Sequence, residues 1–515
     1  MIGEPNPLFF PVVQTAQGRM RGLAISGVSM FKGIRYGAST AGANRYRPPQ
    51  PPPEWSGIED RTAYGNFAPQ HPSSRTRRYS DLILYDIQPG GMGEDCLVLN
   101  LWTPSLDAGA KLPVMVHLHG GGWYGGTGNS PQFDGQMVAE TGEALFISIN
   151  HRIGSFGFLD LEAFGDPRFA GSGSNGMADV VAALDWIKEN IAAFGGDPDR
   201  VLVFGQSGGG AKTSTLLAMP SAQGLFHRAG IMSGSALRLG NPDETAAMAE
   251  RFLALLGIAP DALERLQELP FQTLLSAQIE LEMEDRRKGE APRAFLPVVR
   301  EGARIPLHPL EAARAGKVRV PVIIGTVLDE RSYRRVDFDM SAAELRAQFA
   351  AHMGPQSDDI LALYRAEDTG AAPYLMAARL DTDLTFRLAA WIMSDALAQA
   401  GTPTWAYLWA KPSRAFGGQF GATHGVDLGP SLGDIRLGLN GPSQDWAQSA
   451  AMMSALWRGF AARGAPSHDA LHWPAFTAAQ RQTLVVGADG SFGAQSDPRG
   501  AIRRAVMARK GVSPA

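Results

Sequence analysis

The pentapeptide Gly205-Gln206-Ser207-Gly208-Gly209 places a serine between small residues, and a second match stands at Gly429-Pro430-Ser431-Leu432-Gly433. A serine hydroxyl attacks a carbonyl only when a base takes its proton, so the chemistry in question is acyl transfer assisted by a histidine and an orienting acid. With 60 glycines in the chain, a G-x-S-x-G string arises by chance roughly 0.4 times, and context has to decide. Ser207 follows an apolar strand pattern at 201–204 and precedes a helix-compatible run, AKTSTLLAM. That is the strand–turn–helix setting of a nucleophile elbow, whose strained turn admits only small residues two positions to either side. Ser431 has Pro430 before it and no strand leading in, so it reads as a loop coincidence.

An elbow also sets Ser207 at a helix N-terminus, where the Gly208 amide faces a developing oxyanion. A second source of amide donors is His119-Gly120-Gly121-Gly122-Trp123, directly after an apolar run. Consecutive glycines let backbone N–H groups approach an oxygen without side-chain interference. A phosphate cradle is the competing reading, and it fails because neither Lys-[Ser/Thr] nor a helix pattern follows.

The elements that must carry these residues are visible as apolar runs of strand length. They are CLVLNLWTP (96–104), PVMVHLH (113–119), ALFISIN (144–150), RVLVFG (200–205), VPVIIGT (320–326) and TWAYLWA (404–410). Runs buried on both faces belong to parallel sheets covered by helices. MADVVAALDWIKENIAAF (177–194) has helical periodicity, and helical patterns dominate 242–315 and about 335–400. GVSMFKGIRYG (27–37) predicts an antiparallel start. The alternation indicates an α/β sheet. With no linker or internal repeat, residues 1–515 read as one domain with helical subregions at about 242–315 and 335–400.

Composition narrows the function classes. The 515 residues hold 47 Lys and Arg against 51 Asp and Glu, a net charge of −4, too even for a non-specific nucleic-acid binder. No apolar run approaches the ~18–20 residues of a membrane span, and no signal peptide is evident. One cysteine, Cys96, and no N-x-[Ser/Thr] sequon fit the cytoplasm.

Several segments together give the chain its resemblance to the type-B carboxylesterases, the cholinesterase-like branch of the α/β-hydrolases. They include GEDCLVLNL (93–101), the HGGGW loop, NHRIG (150–154), FGGDPDRVLVFGQSGGG (194–210), GLFHRAGIMSGS (224–235), GTVLDE (325–330) and GATHG (421–425). The resemblance implies an α/β-hydrolase fold, with a central, mostly parallel sheet, a small N-terminal β-sheet and large helical insertions. It also implies a cofactor-free, metal-free serine esterase acting on a small-molecule ester, as a monomer or small homo-oligomer, with no nucleic-acid or membrane partner. Residue by residue, Ser207 resembles the family nucleophile, Glu330 its acid, His424 its base, and the amides of Gly121, Gly122 and Gly208 its oxyanion donors. Gly120 reads as a turn residue; Gln206 and Trp123 fall where substrate binds.

Each assignment has a competitor. Asp329 adjoins Glu330, and spacing does not separate them. His227 sits in a packing segment, His352 in a helical pattern, and His468 and His472 in the tail. The resemblance further implies buried pairs Arg45–Glu94 and Arg152–Asp179, and Ser233 as a partner of Glu330. The chain departs from the family at Gln206 (usually Glu), Gly208 (usually Ala) and Arg331 (usually Gly), with Arg334 and Arg335 close behind. A neutral Gln206, and no tryptophan at 71–95 for a cation–π platform, argue against choline esters and for small to medium neutral or acidic ones. Ala68 stands near the place of the family's disulfide partner for Cys96, so the polar loop 71–93 is unstapled and expected to move over the site mouth. Amide, carbamate or lactone cleavage by the same triad, and a non-catalytic binding protein on the same fold, are the alternatives.

Overall fold

All six apolar runs are strands in a computed structural model that describes residues 6, 8–71, 79, 82, 88–288, 295–436, 438–441 and 443–512. By internal contacts the chain divides into two compact units. One comprises Met1–Ser74, Leu84–Ala229 and Ala236–Ala312; the other comprises Arg75–Ile83, Gly230–Ser235 and Ala313–Ala515.

In the first unit the strands lie in the order Leu23–Ile25, Val28–Arg35, Val98–Thr103, Leu145–Ile149, Leu112–Leu118, Gly196–Gln206. Leu112–Leu118 pairs parallel with both of its neighbours, Val116 standing opposite Ile147 on one side and Val203 on the other. Val98–Thr103 departs from the expectation for buried runs, because it is antiparallel to both neighbours. Its six residues are all buried, and burial on two faces reports the layers that cover a strand, not its direction. A separate three-stranded sheet joins Val12–Gln14, Arg19–Arg21 and Ile58–Asp60.

The helix Asn175–Asn190 takes up most of the 177–194 pattern, a 3-10 turn at Ile191–Phe194 the rest, and buries Val180, Leu184 and Ile187 at helical spacing. The 242–315 region supplies Pro242–Leu256, opened by an Asn241/Glu244 capping box, and Phe271–Arg287. Both expected charge pairs form. Arg45 grips Glu94 with two bonds of 2.6 Å, and Arg152 grips Asp179 at 2.8 and 2.6 Å. All four side chains are nearly inaccessible, so removing one partner would strand a buried charge.

In the second unit Val322–Val327, Thr404–Trp409 and Gln482–Val486 run parallel, and Phe492–Ser496 closes the edge antiparallel. The 335–400 region forms Ala342–Met353, Ser357–Glu367, Pro373–Thr382 and Leu388–Gln399. They pack around Phe349, Tyr364, Leu380 and Val506, the last from the helix Gly500–Arg509. Among the described residues no helix is long and apolar enough to cross a membrane.

Candidate active site

The strand Gly196–Gln206 ends one residue before Ser207, and the helix Gly208–Leu216 begins one residue after it. Ser207 itself takes φ 60° and ψ −122°, a backbone state that a side-chain-bearing residue holds only when its surroundings impose it. What imposes it is backbone packing. A Cβ on Gly209 would stand 1.9 Å from the Leu118 carbonyl oxygen, and one on Gly208 would stand 2.4 Å from the Gly122 nitrogen. Neither position can carry a side chain while the loop after Leu112–Leu118 lies this close. Gln206 is buried and Ser207 half-buried. Ser431, the competing serine, lies at the end of a four-residue helix, Leu428–Ser431, not in a loop. It is fully buried and donates to the Asp427 carbonyl at 2.8 Å.

The glycine loop is held by its carbonyls. The His119 Nδ1 lies 2.9 Å from the Gly120 oxygen, and the Gly125 N–H donates to the Gly121 oxygen at 3.0 Å. In a trans peptide the N–H points opposite to its C=O, so pinning these two oxygens aims the Gly121 and Gly122 amides the other way. Gly121 and Gly122 have φ of 95° and 64°, which glycine adopts without strain. Trp123 packs edge-on against Phe158 with ring centroids 5.4 Å apart, and its carbonyl accepts from the Gly154 amide at 2.7 Å.

The second unit holds His424 and Glu330. The Nδ1 of His424 lies 2.5 Å from Glu330 Oε2, with Glu330 wholly buried and His424 nearly so. The other carboxylate oxygen of Glu330 accepts the Val327 amide at 2.9 Å. A carboxylate at Nδ1 selects the tautomer that leaves Nε2 as the acceptor. Asp329 is occupied elsewhere: it accepts from Arg379 at 2.7 Å and from the Ala422 amide at 2.8 Å. The two neighbours that spacing could not separate are thus separated by their partners. Arg387, also buried, donates to the Val327 and Leu328 carbonyls at 2.6 and 3.1 Å and holds the turn that presents Glu330.

Aromatic rings enclose the histidine. Tyr333 stacks on it at 5.3 Å, Phe386 stands 5.0 Å away, and the Tyr79 hydroxyl donates to the His424 carbonyl. Arg331 lies over Phe386 and Arg334 over Tyr333, each at a little more than 5 Å. Burial pushes Asp427, three residues past the histidine, up to about 7, and Tyr407 donates to it at 2.6 Å.

The expected bond between Ser233 and Glu330 is not formed. The Ser233 amide donates to the Gly325 carbonyl at 2.8 Å, while its hydroxyl is buried without a hydrogen-bond partner among the described residues. Cys96 is buried and free. The other histidines are placed as packing or surface groups: the His227 ring accepts from the Val201 amide, and His352 is exposed on its helix. Most of the 71–93 loop, with Arg75, Arg77 and Arg78, lies outside the described residues. Tyr79, Tyr333, Phe386, Arg379 and Arg387 escaped sequence reading; only the neighbourhood of Tyr333 to Glu330 offered a signal.

Comparison with known proteins agrees with this geometry. Residues 10–499 match the model of the carboxylesterase family. The chain is 33% identical to a para-nitrobenzyl esterase of Bacillus subtilis, over 97% of this chain and 99% of that protein. It is 32% identical to a phenmedipham hydrolase of Pseudarthrobacter oxydans, over 93% and 96%. A Geobacillus stearothermophilus carboxylesterase structure superposes with a TM-score of 0.81 at 33% identity, covering 96% of this chain and 99% of that one. With a strained serine between strand and helix, a glycine loop against it, a histidine on a buried glutamate, and relatives matched from end to end, the chain belongs to the carboxylesterase family, with the α/β-hydrolase fold and the serine ester hydrolase activity of that family.

Proposed function

We propose that Ser207 is the nucleophile of this esterase, His424 its general base and Glu330 the acid that orients the base, with Gly121, Gly122 and Gly208 as oxyanion donors. The observation that carries the reading is the His424–Glu330 pair at 2.5 Å in a chain whose Ser207 has elbow geometry. In this scheme His424 takes the Ser207 proton as the hydroxyl attacks the ester carbonyl, and then gives it to the leaving alcohol. Water repeats the sequence on the acyl-enzyme and releases the acid. The three amides stabilise the oxyanion, and each such donor is typically worth about 3–4 kcal/mol. No metal or cofactor enters the scheme. Gln206 and Trp123 are assigned to the substrate-binding wall, and residues 1–515 to one catalytic domain.

The substrate class we propose is a small to medium, neutral or acidic ester. Support comes from a cleft of about 350 Å³ lined by Arg331, Arg334, Arg335, His352 and Lys510 with Asp381 as its carboxylate. Arg331 and Arg334 are each one aromatic ring removed from His424. A reducing compartment, the cytoplasm, and a monomeric or small homo-oligomeric state complete the proposal; the lone buried thiol supports the former.

Hydrolysis of p-nitrophenyl acetate, butyrate and octanoate by wild type and Ser207→Ala, with phosphonate labelling and intact mass, tests the mechanism. Turnover lost in the variant and one adduct on Ser207 are expected. An adduct without ester turnover would move the reading to amides or carbamates, and neither in folded protein would end it. For the substrate class, ethyl hexanoate is compared with monoethyl adipate. A hundredfold preference for the uncharged ester would sink the acidic reading.

A further inference from the structure

The most unusual buried group near the elbow is Lys212, which belongs to none of the roles above. It lies five residues after Ser207 on the helix Gly208–Leu216 and is fully inaccessible. Its Nζ donates to the His119 carbonyl at 2.9 Å. Among the described residues no carboxylate pairs with it. Buried lysines ordinarily have such a partner, because an unpaired charge in a protein interior is costly. The titratable groups that face it are His117, His119 and His151. The imidazoles of His119 and His151 stack with centroids 4.9 Å apart. Burial and the nearby Lys212 hold all three histidines below their ordinary range, so they stand neutral beside it, and an imidazole has no negative charge to offer.

His119 is the first residue of the glycine loop. Its carbonyl belongs to the peptide that enters Gly120, just as the Gly120 and Gly121 carbonyls belong to the peptides that end in the Gly121 and Gly122 amides. Three successive carbonyls are therefore gripped: the first by Lys212, the second by the His119 ring, the third by the Gly125 amide. Only the first grip comes from the nucleophile's own helix. It spans the two pieces of backbone, elbow and loop, that meet at Gly208 and Gly209 with no room for side chains between them.

We propose that Lys212 is a positioning residue of this esterase, tying the oxyanion loop to the nucleophile helix through the His119 carbonyl so that the Gly121 and Gly122 amides keep one orientation. The inference rests on the assignment of those amides as oxyanion donors. Its effect belongs to the transition state, since the ground-state ester makes weaker use of the donors than the tetrahedral intermediate does. Burial brings the ammonium down to about 7, so the tie is kept at a cost in stability.

The test is Lys212→Met, which keeps length and loses the donor, measured with p-nitrophenyl butyrate and with a trifluoromethyl ketone that mimics the tetrahedral intermediate. We expect kcat to fall ten- to a hundredfold with KM within twofold. Affinity for the ketone should weaken by the same factor as kcat, and the melting temperature should hold or rise. Lys212→Gln, too short to reach with the same geometry, should fall between wild type and Met. Unchanged kcat and ketone affinity, or a loss confined to KM, would overturn the proposal. So would failure of both variants to fold, since Lys212 would then be structural. Active wild type together with an inert Lys212→Met effect would discard only this inference; wild type inactive toward esters would discard the reading beneath it.

Discussion

Around Ser207 the elbow and the glycine loop meet backbone to backbone: two glycines admit the loop to within contact of the elbow, and successive carbonyls, two of them gripped by the Lys212 and His119 side chains from behind, aim its amides. Around His424 the arrangement is the reverse. There a carboxylate, two arginines and a wall of Tyr79, Tyr333 and Phe386 fix one imidazole and one turn. The difference follows from what each part must hold. An oxyanion is met by donors whose partial charges are fixed in the backbone, and any added atom displaces them. A base must keep one tautomer and one orientation, which a buried acid and packed rings supply. Each unit also buries one titratable group brought to about 7, of opposite sign: Lys212 in the first and Asp427 in the second.

Substitutions can break this contrast at several depths. The largest effect is expected for Glu330→Gln, whose amide would face His424 Nδ1 and favour the wrong tautomer; kcat should drop by about 10⁴-fold, with folding intact by circular dichroism. Next comes Gly209→Ala. Its methyl would stand 1.9 Å from the Leu118 carbonyl oxygen and push the glycine loop that follows Leu118 off line, so kcat should fall by about 10²-fold in steady-state assays with KM little changed. Asp329→Asn separates architecture from chemistry. It strips Arg379 of its closest carboxylate and should lower unfolding stability by about 3 kcal/mol, while kcat/KM per folded molecule stays within threefold.

The smallest effects are those of pH. Asp427 is raised in the folded state, so between its ordinary value near 4 and about 7 the folded protein binds the extra proton. Its contribution to stability is therefore greatest in acid and declines as pH rises through that window; Asp427→Asn should flatten that slope in denaturant titrations. Lys212 is lowered, so between about 7 and its ordinary value near 10.5 the unfolded chain binds the extra proton. Stability should accordingly rise with pH across that window, and Lys212→Met should remove the rise. Two slopes that survive both substitutions would mean other groups govern them.

The two units were not equally legible. The elbow is local: strand, serine and helix occupy one continuous segment, and its glycines announce the close approach. The same holds for the HGGGW loop and for the six strands, whose apolar residues are contiguous. The His424–Glu330 pair joins residues 94 positions apart, and nothing local separates Glu330 from Asp329; the resemblance favours Glu330 by motif order, and the structure distinguishes the two by their partners, His424 for Glu330 and Arg379 with the Ala422 amide for Asp329. Arg228–Met232 went unread as a strand because it is short, begins on arginine and contains glycine. The hairpin Gln482–Val486 and Phe492–Ser496 was missed for a related reason, since its outer strand is half polar. Antiparallel pairing of Val98–Thr103 left no trace in composition, because a strand covered on both faces looks the same in either direction.

The backbone of Ser207 bears on how such an enzyme persists under mutation. Holding a residue with a Cβ in that conformation costs of order 1–3 kcal/mol, and glycine would occupy it freely, giving back about 0.5–1 kcal/mol through its looser unfolded chain. Ser207→Gly, one substitution away, would thus be dead and at least as stable as its parent. Heat or proteolysis would spare it, so only demand for the hydrolysed product can weed it out of a population. The serine we propose as nucleophile is a residue the fold itself would trade away.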